Sequence, residues 1–376
     1  MPLSDVRYQR PALVRVQRAL TGARIPHAYL FHGPEGVGKE MFAERLSRVL
    51  LCENPHDITP PPLPELAGWK GPFRDACGVC RSCHLAEVGN HPDIHVIHRQ
   101  LKALHPEERV RRRSGAELVV DVVRHFIVDA VGLAPVAGRS KVFIVREAER
   151  MNDNAQNALL KTLEEPPPST FLILITSSAH LLLSTTRSRC QQALFGPLPD
   201  AFITERIAAT GLSAADAGFY AALGAGSLGL ALQYAADGFK VSYEKIAGEL
   251  TALNRCSGLG AAKTFLEIAK EMTSAFSERD PDLSDSAAMR QAIGAVFMLA
   301  ANWYRAIMHS HDGAAGAAIT PAGAPALARV SQQAAAEAIS LLATAERQLE
   351  LNVNTQLVVE TTLFKLAGID ETFAVS

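Results

Sequence analysis

The chain has 376 residues, of which 48% are hydrophobic and 20% charged. It is too long for one ordinary hydrophobic core and too apolar to be disordered, so two or three folded domains of about 100–200 residues each are expected. With 37 Lys+Arg against 39 Asp+Glu, bulk positive charge is excluded as a way of holding nucleic acid, and any such contact must be local or shared with partners.

The first twenty residues are broken by charge every few positions, which excludes the apolar core of a signal peptide. Runs such as LILI and AVFMLAA fall well short of the ~20 residues that span a bilayer, so the expected compartment is the cytoplasm. Residues 12–21 carry apolar side chains at helical spacing and end at Gly22. Ala28-Tyr-Leu-Phe-His32 is a short apolar run stopped by glycine and proline, which predicts a buried strand. Residues 39–51 place Phe42, Leu46, Val49 and Leu50 on one side of a helix. Strand, glycine loop and helix thus follow in that order.

Residues 53–76 hold six prolines, which forbid regular helix and predict a surface insertion. From 106 to 117 the chain is strongly charged, and Arg109, Arg111, Arg112 and Arg113 read either as a solvated loop or as a phosphate-contacting patch. A helix is expected over 117–131 and a strand over 141–145. A further helix should be capped by Asn152 and stopped by Pro166-Pro167-Pro168, with a third strand over 170–175. Strands alternating with helices predict a parallel sheet covered on both faces. Beyond Pro199 strand signals vanish and only helices are expected, with boundaries near 198 and 241 and a mobile loop at 313–326. The last helix, over 356–366, is capped by Asn354 and ends before Gly368.

The segment Gly33-Pro-Glu-Gly36-Val-Gly38-Lys39-Glu40 fits G-x-x-x-x-G-K between a strand and a helix. In that setting glycine N–H groups close around phosphates, and a lysine reaches the outer ones. The next position should carry a hydroxyl for Mg²⁺ but is Glu40, and the strand 141–145 is followed by Arg146-Glu147 where a metal-binding Asp and a water-activating Glu are needed. An arginine cannot ligate Mg²⁺. ATP binding is therefore doubtful and hydrolysis more so. Cys77, Cys80 and Cys83 supply three thiolates for tetrahedral zinc; Cys52 is the natural fourth ligand, with His84 and His91 as alternatives. Cys190 and Cys256 read as small buried hydrophobes. The histidines at 91, 95, 98 and 105 have no metal-ligand spacing.

HAYLFHGPEGVGKE, CGVCRSC, NALLKTLEEPP and SRC, in this order, resemble the bacterial clamp-loader ATPase family within the AAA+ class over about the first 235 residues. The resemblance implies an α/β fold: a RecA-like AAA+ sheet domain with a zinc module over 1–197, a small helical lid over 198–240 and an all-α collar over 241–376. It matches Cys52, Cys77, Cys80 and Cys83 to zinc ligands and Thr176 to a nucleotide sensor. Arg189 matches an arginine finger offered in trans to a neighbour's ATP. Glu40, Arg146 and Leu228-Gly229, where the active branch has a sensing arginine, point to the family's non-hydrolysing stator branch. The implied partners are gamma/tau and delta subunits, the beta sliding clamp and primed DNA. The alternative is a gamma/tau-like subunit that hydrolyses ATP itself with Lys39 and Glu147.

Overall fold

The computed structural model describes residues 2–22, 24–60, 66, 69–113, 115, 117–254, 256–311, 330–351 and 353–373. Two compact units divide it, 1–199 and 200–376.

In the first unit the strands β1 (Ala28–His32), β4 (Ile94–Ile97), β5 (Lys141–Val145), β6 (Thr170–Thr176) and β7 (Gln191–Leu194) form one sheet in the order β4-β5-β6-β1-β7, with every pairing parallel. Parallel strands need crossovers, and those crossovers cover both faces with helices. One face packs α1 (Arg10–Leu20) and α2 (Lys39–Leu51), through Leu13, Val16, Phe42 and Leu46, onto Tyr29, Phe31, Ile144 and Ile173. The other packs Val122, Ile127, Leu159 and Leu163 onto Leu30, Phe143, Val145 and Leu172. The parallel α/β sheet followed by an all-helical part is the expected fold class.

The helix Asp153–Glu164 begins as expected, with Asn152 Oδ1 accepting from Ala155 N–H at 3.0 Å. The helix expected from 117 starts at Val120 and runs to Val131 through a π-helical turn at Arg124–Val128. Leu118 before it bridges to Met151. The proline-rich segment is less superficial than its composition implies. It carries a hairpin, β2 (His56–Ile58) with β3 (Phe73–Asp75), and Phe73 lies in the core. Asp75, also buried, accepts from the N–H groups of Leu3, Ser4 and Ala76 at 2.8–3.1 Å. Its prolines, the last of them directly before Phe73, do not stop the residues that follow from supplying core and cap.

The second unit contains, among the described residues, only helices: Asp200–Ala208, Ala214–Leu223, Leu228–Ala236, Phe239–Thr251, Gly258–Arg279, Asp285–His311, Gln332–Glu350 and Thr355–Phe373. Trp303 and Tyr304 are fully buried and meet edge to face. Two expectations fail here. Cys256 is exposed, because it sits in the turn before Gly258–Arg279. The last helix is capped by Asn354 but continues through Gly368, since a helical glycine costs only about 1 kcal/mol, which neighbouring packing can outweigh. The expected loop at 313–326 lies outside the described residues.

Candidate functional site

Parallel sheets gather loops at the carboxyl ends of their strands, and ligands bind there. His32, the last residue of β1, is in register with Thr176, the last of β6; one strand further, β5 ends at Val145. The glycine loop, Thr176 and Arg146-Glu147 therefore emerge side by side. Gly33, Gly36 and Gly38 take left-handed φ values of 142°, 68° and 96°. At Gly33 a Cβ would meet the Phe195 carbonyl oxygen at 2.1 Å, so β7's exit admits only glycine there. Gln9, buried, clasps the same region: its amide N–H₂ donates to Val37 O at 3.2 Å and Gly196 O at 2.9 Å, and its Oε1 accepts from Gly196 N–H at 3.0 Å.

Lys39 opens α2 and is 6% exposed; its Nζ donates to the carbonyls of Gly33 at 2.6 Å and Pro34 at 2.5 Å. Burial lowers its pKa, opposed by the nearby carboxylates of Glu149 and Glu35. Glu40, on the first turn of α2, forms an ion pair with Arg146 at the end of β5. The two departures noted in the sequence are thus each other's partner. The Arg146 backbone N–H donates to Ile97 O at 2.9 Å, which extends the sheet, and burial lowers the guanidinium's pKa against the pull of Glu147.

Glu147 has a left-handed backbone, φ 46° and ψ 51°, and pairs with Arg99 at 3.3 Å and Arg150 at 3.4 Å. Thr176 is buried, and its Oγ1 accepts from Ser178 N–H at 3.0 Å. Glu149, which no motif marked, sits against this group. Its carboxylate accepts from Ser177 N–H at 3.1 Å and Ser177 Oγ at 2.5 Å. Burial would raise its pKa, but these donors and Thr176 outweigh it and leave it lowered. Gly33, Gly36, Gly38, Lys39, Glu40, Arg146, Glu147 and Thr176 therefore belong to one locus.

Arg189 does not join them. It precedes β7, at the amino end of the sheet and about one strand length, ~15 Å, from the glycine loop. There its Nε donates to Glu164 Oε1 at 2.8 Å, a second guanidinium nitrogen donates to the same oxygen, and Nη1 donates to Thr185 O at 2.8 Å. Glu164, in the LEE segment, was not singled out from sequence, although its place beside the SRC triplet is what positions that arginine.

Cys52 caps the C-terminus of α2, and Cys80 caps the N-terminus of α3 (Arg81–Glu87) by accepting from Cys83 N–H at 3.4 Å. The thiols of Cys52, Cys77, Cys80 and Cys83 all lie within 4.8 Å of one another, with two Sγ–Sγ pairs at 4.0 Å. Zinc–sulfur bonds of ~2.3 Å in a tetrahedron place sulfurs ~3.8 Å apart, so this donor set fits the metal. Backbone N–H groups already point at sulfur, Cys77 to Cys52 at 3.3 Å and Cys80 to Cys77 at 3.4 Å. Burial pushes the Cys52 thiol up to about 12. At Cys77 burial acts the same way, but the N–H groups of Val79 and Cys80, with Cys52 and Cys80, bring it down to about 6. His91 is engaged elsewhere, with Ser82 Oγ at 2.7 Å and Asp93 N–H at 3.1 Å. The arginines of 109–113 are also occupied. Arg109 and Arg113 pair with Asp121, Arg112 with Glu108, and Arg111 donates to the carbonyls of His105 and Pro106.

Among curated proteins, the DNA polymerase III subunit delta' of Pseudomonas aeruginosa is 42% identical over 180 residues, 48% of this chain and 45% of that protein. The delta' subunit of Escherichia coli K12 is 34% identical over 193 residues, 51% of this chain and 49% of the relative. The tau subunit of the same organism is 33% identical over 189 residues, 50% and 24% respectively. The chain spans about half the length of the delta' relatives it matches. A solved gamma-subunit-related protein of Thermotoga maritima aligns over 96% of this chain and 99% of its own, at 18% identity and a TM-score of 0.41. The family described as "DNA polymerase III, delta subunit" matches residues 8–199, a stretch that takes in the glycine loop, the four cysteines and Arg189. That match runs over more than half of the sequence, and by it the chain belongs to the DNA polymerase III delta subunit family.

Proposed function

We propose that this chain is a delta-prime stator subunit of a DNA polymerase III clamp loader, which helps load the sliding clamp onto primed DNA without hydrolysing ATP itself. The observation that carries the reading is the ion pair between Glu40 and Arg146. In an active phosphate-loop enzyme a hydroxyl on the first turn of the helix and an acid after the strand both serve Mg²⁺. Here a carboxylate and a guanidinium satisfy each other across that gap, and a cation held there would meet a resident positive charge. Lys39, turned back onto the loop carbonyls, and Glu147, tied to Arg99 and Arg150, fit an idle site. Arg189, at the far end of the sheet from its own glycine loop, is suited to act in trans, stabilising phosphoryl charge in an adjacent gamma/tau subunit's ATP site.

The proposed partners are gamma/tau and delta subunits, the beta clamp and primed DNA reached through the complex. The working compartment is the cytoplasm; no helix among the described residues is long and apolar enough to cross a membrane. The proposed division is a RecA-like AAA+ domain over 1–197, a lid over 198–240 and an oligomerising collar over 241–376. Cys52, Cys77, Cys80 and Cys83 would hold structural Zn²⁺, fastening the end of α2 to the start of α3. The test is DNA- and clamp-stimulated ATP turnover of the complex reconstituted with gamma and delta subunits. Arg189→Ala should cripple turnover by at least tenfold while Lys39→Ala leaves it unchanged. The opposite pattern would make this a gamma/tau-like ATPase and overturn the reading.

A further inference from the structure

The chain is close to neutral overall, but its charge is not evenly spread. Between Val6 and Pro34 it carries five arginines, Arg7, Arg10, Arg15, Arg18 and Arg24, and not one Asp, Glu or Lys. At 100° per residue, Arg10, Arg15 and Arg18 fall within about 140° of one side of α1. The structure brings that side against the outer strand of the sheet. A groove of about 1050 Å³ opens there, between α1 and β7, lined by Arg10, Arg15, Arg18, Arg24, His32 and Trp69. No carboxylate lines it among the described residues, and none pairs with Arg15, Arg18 or Arg24. Arg15 Nη1 instead donates to Gln192 O at 2.8 Å, which leaves its positive charge uncompensated. His32, at the inner end, responds to the same field: burial first, then the charges of Lys39 and Arg15, lower its pKa.

We propose that this groove binds single-stranded DNA, a surface distinct from the glycine loop and from Arg189. Three features favour a polynucleotide over an acidic polypeptide. The groove's cations are all arginines, whose planar forks take phosphate oxygens two at a time and stack on bases, where a lysine offers only a point charge. Trp69 adds an aromatic wall, and a positively charged groove with an aromatic platform is how strands are held without regard to sequence. Arg10 to Arg18 spans about 12 Å of helix, so the cations run in a line instead of clustering round one anion. A duplex, with its bases stacked inside, cannot use the aromatic wall.

The experiment is the anisotropy of a fluorescein-labelled 20-nucleotide oligothymidylate titrated with the full chain, across a salt series, for wild type and Arg18→Glu/Arg24→Glu. Both side chains are exposed and form no hydrogen bond or ion pair among the described residues, so the fold should be kept, and melting curves check this. Affinity should fall at least tenfold in the variant. The slope of log affinity against log salt should shrink by about 1.4, at about 0.7 for each phosphate of a single strand that is no longer neutralised. In a Trp303→Phe background Trp69 is the sole tryptophan, and its fluorescence should be quenched by the oligonucleotide in wild type but not in the double glutamate variant. Equal affinity and equal salt slope in the two proteins would overturn the proposal, as would unquenched Trp69. Displacement of the oligonucleotide by equimolar poly-glutamate would overturn it in favour of an acidic polypeptide.

Discussion

Replacing Glu40 and Arg146, singly and together, tests whether an ion pair has taken the place of a metal bridge. Both side chains are 41% exposed, so the pair is screened and its coupling should be about 0.5–1 kcal/mol. In a unit of this size 1 kcal/mol moves the melting midpoint by about 2–4 °C. Glu40→Gln should therefore lower the first unit's midpoint by about 1–4 °C, and Arg146→Gln by a similar amount. The double variant should lose less than the sum, because neither partner is then left with an unmatched charge. The functional half of the test is Glu40→Thr with Arg146→Asp, which puts a hydroxyl and a carboxylate where Mg²⁺ needs them. Titration with a fluorescent ATP analogue, with and without Mg²⁺, should show an affinity gain of at least tenfold from the metal, about 1.4 kcal/mol, in this variant and none in wild type. Strict Mg²⁺ dependence in wild type would refute the reasoning, and so would fully additive effects of the single substitutions.

Asp93 is buried and accepts from Val136, Ala137 and Gly138 N–H at 2.6–2.8 Å. Burial alone would raise its pKa, but the three donors outweigh it and leave it lowered. The stabilisation is then full above the unfolded pKa of about 3.9 and fades as pH falls toward the lower folded value. Asp93→Asn should cost about 2–3 kcal/mol in urea melts at pH 7, with the gap to wild type closing below about pH 4. Treatment with an organomercurial should release one zinc per chain, read with a chromogenic chelator, and lower the melting midpoint; Cys83→Ser should release none and start from the lower midpoint. No zinc from wild type would dismiss the metal.

The glycine loop, the Cys77-Cys80-Cys83 triplet and the Asn152-capped helix were legible because each is a local pattern, with its determinants within a dozen residues. Glu40 and Arg146 were legible only as two separate losses. They are 106 positions apart in sequence, and only the sheet order, with β6 between β1 and β5, brings the ends of those strands together. β4 and β7 escaped notice for a different reason. Ile-His-Val-Ile and Gln-Gln-Ala-Leu are four residues each, and the second has hardly any apolar pattern, so pairing with a neighbour decides its conformation. Glu164 lay inside a recognised motif and Glu149 just beyond Arg146-Glu147, yet nothing in residue type announces that Glu149 acts on Lys39 and Glu164 holds Arg189. Cys256 shows the same limit from the other side, since a thiol's burial depends on the turn it occupies.

Gln9 stands just ahead of α1, and Gly196 lies three residues before the end of the first unit. The hydrogen bonds between them make the two ends of that unit neighbours in space. Such a unit is closed on itself like a ring with a clasp. Its ends could be spliced together and new ones opened at an exposed turn without changing the order in which the strands lie. It follows too that the clasp, and with it the close approach of Phe195 to Gly33, is lost in any fragment trimmed at the last residue of β7. Trimming for recombinant work should leave at least Gly196 and its flank in place, or the glycine loop will lose the wall it folds against.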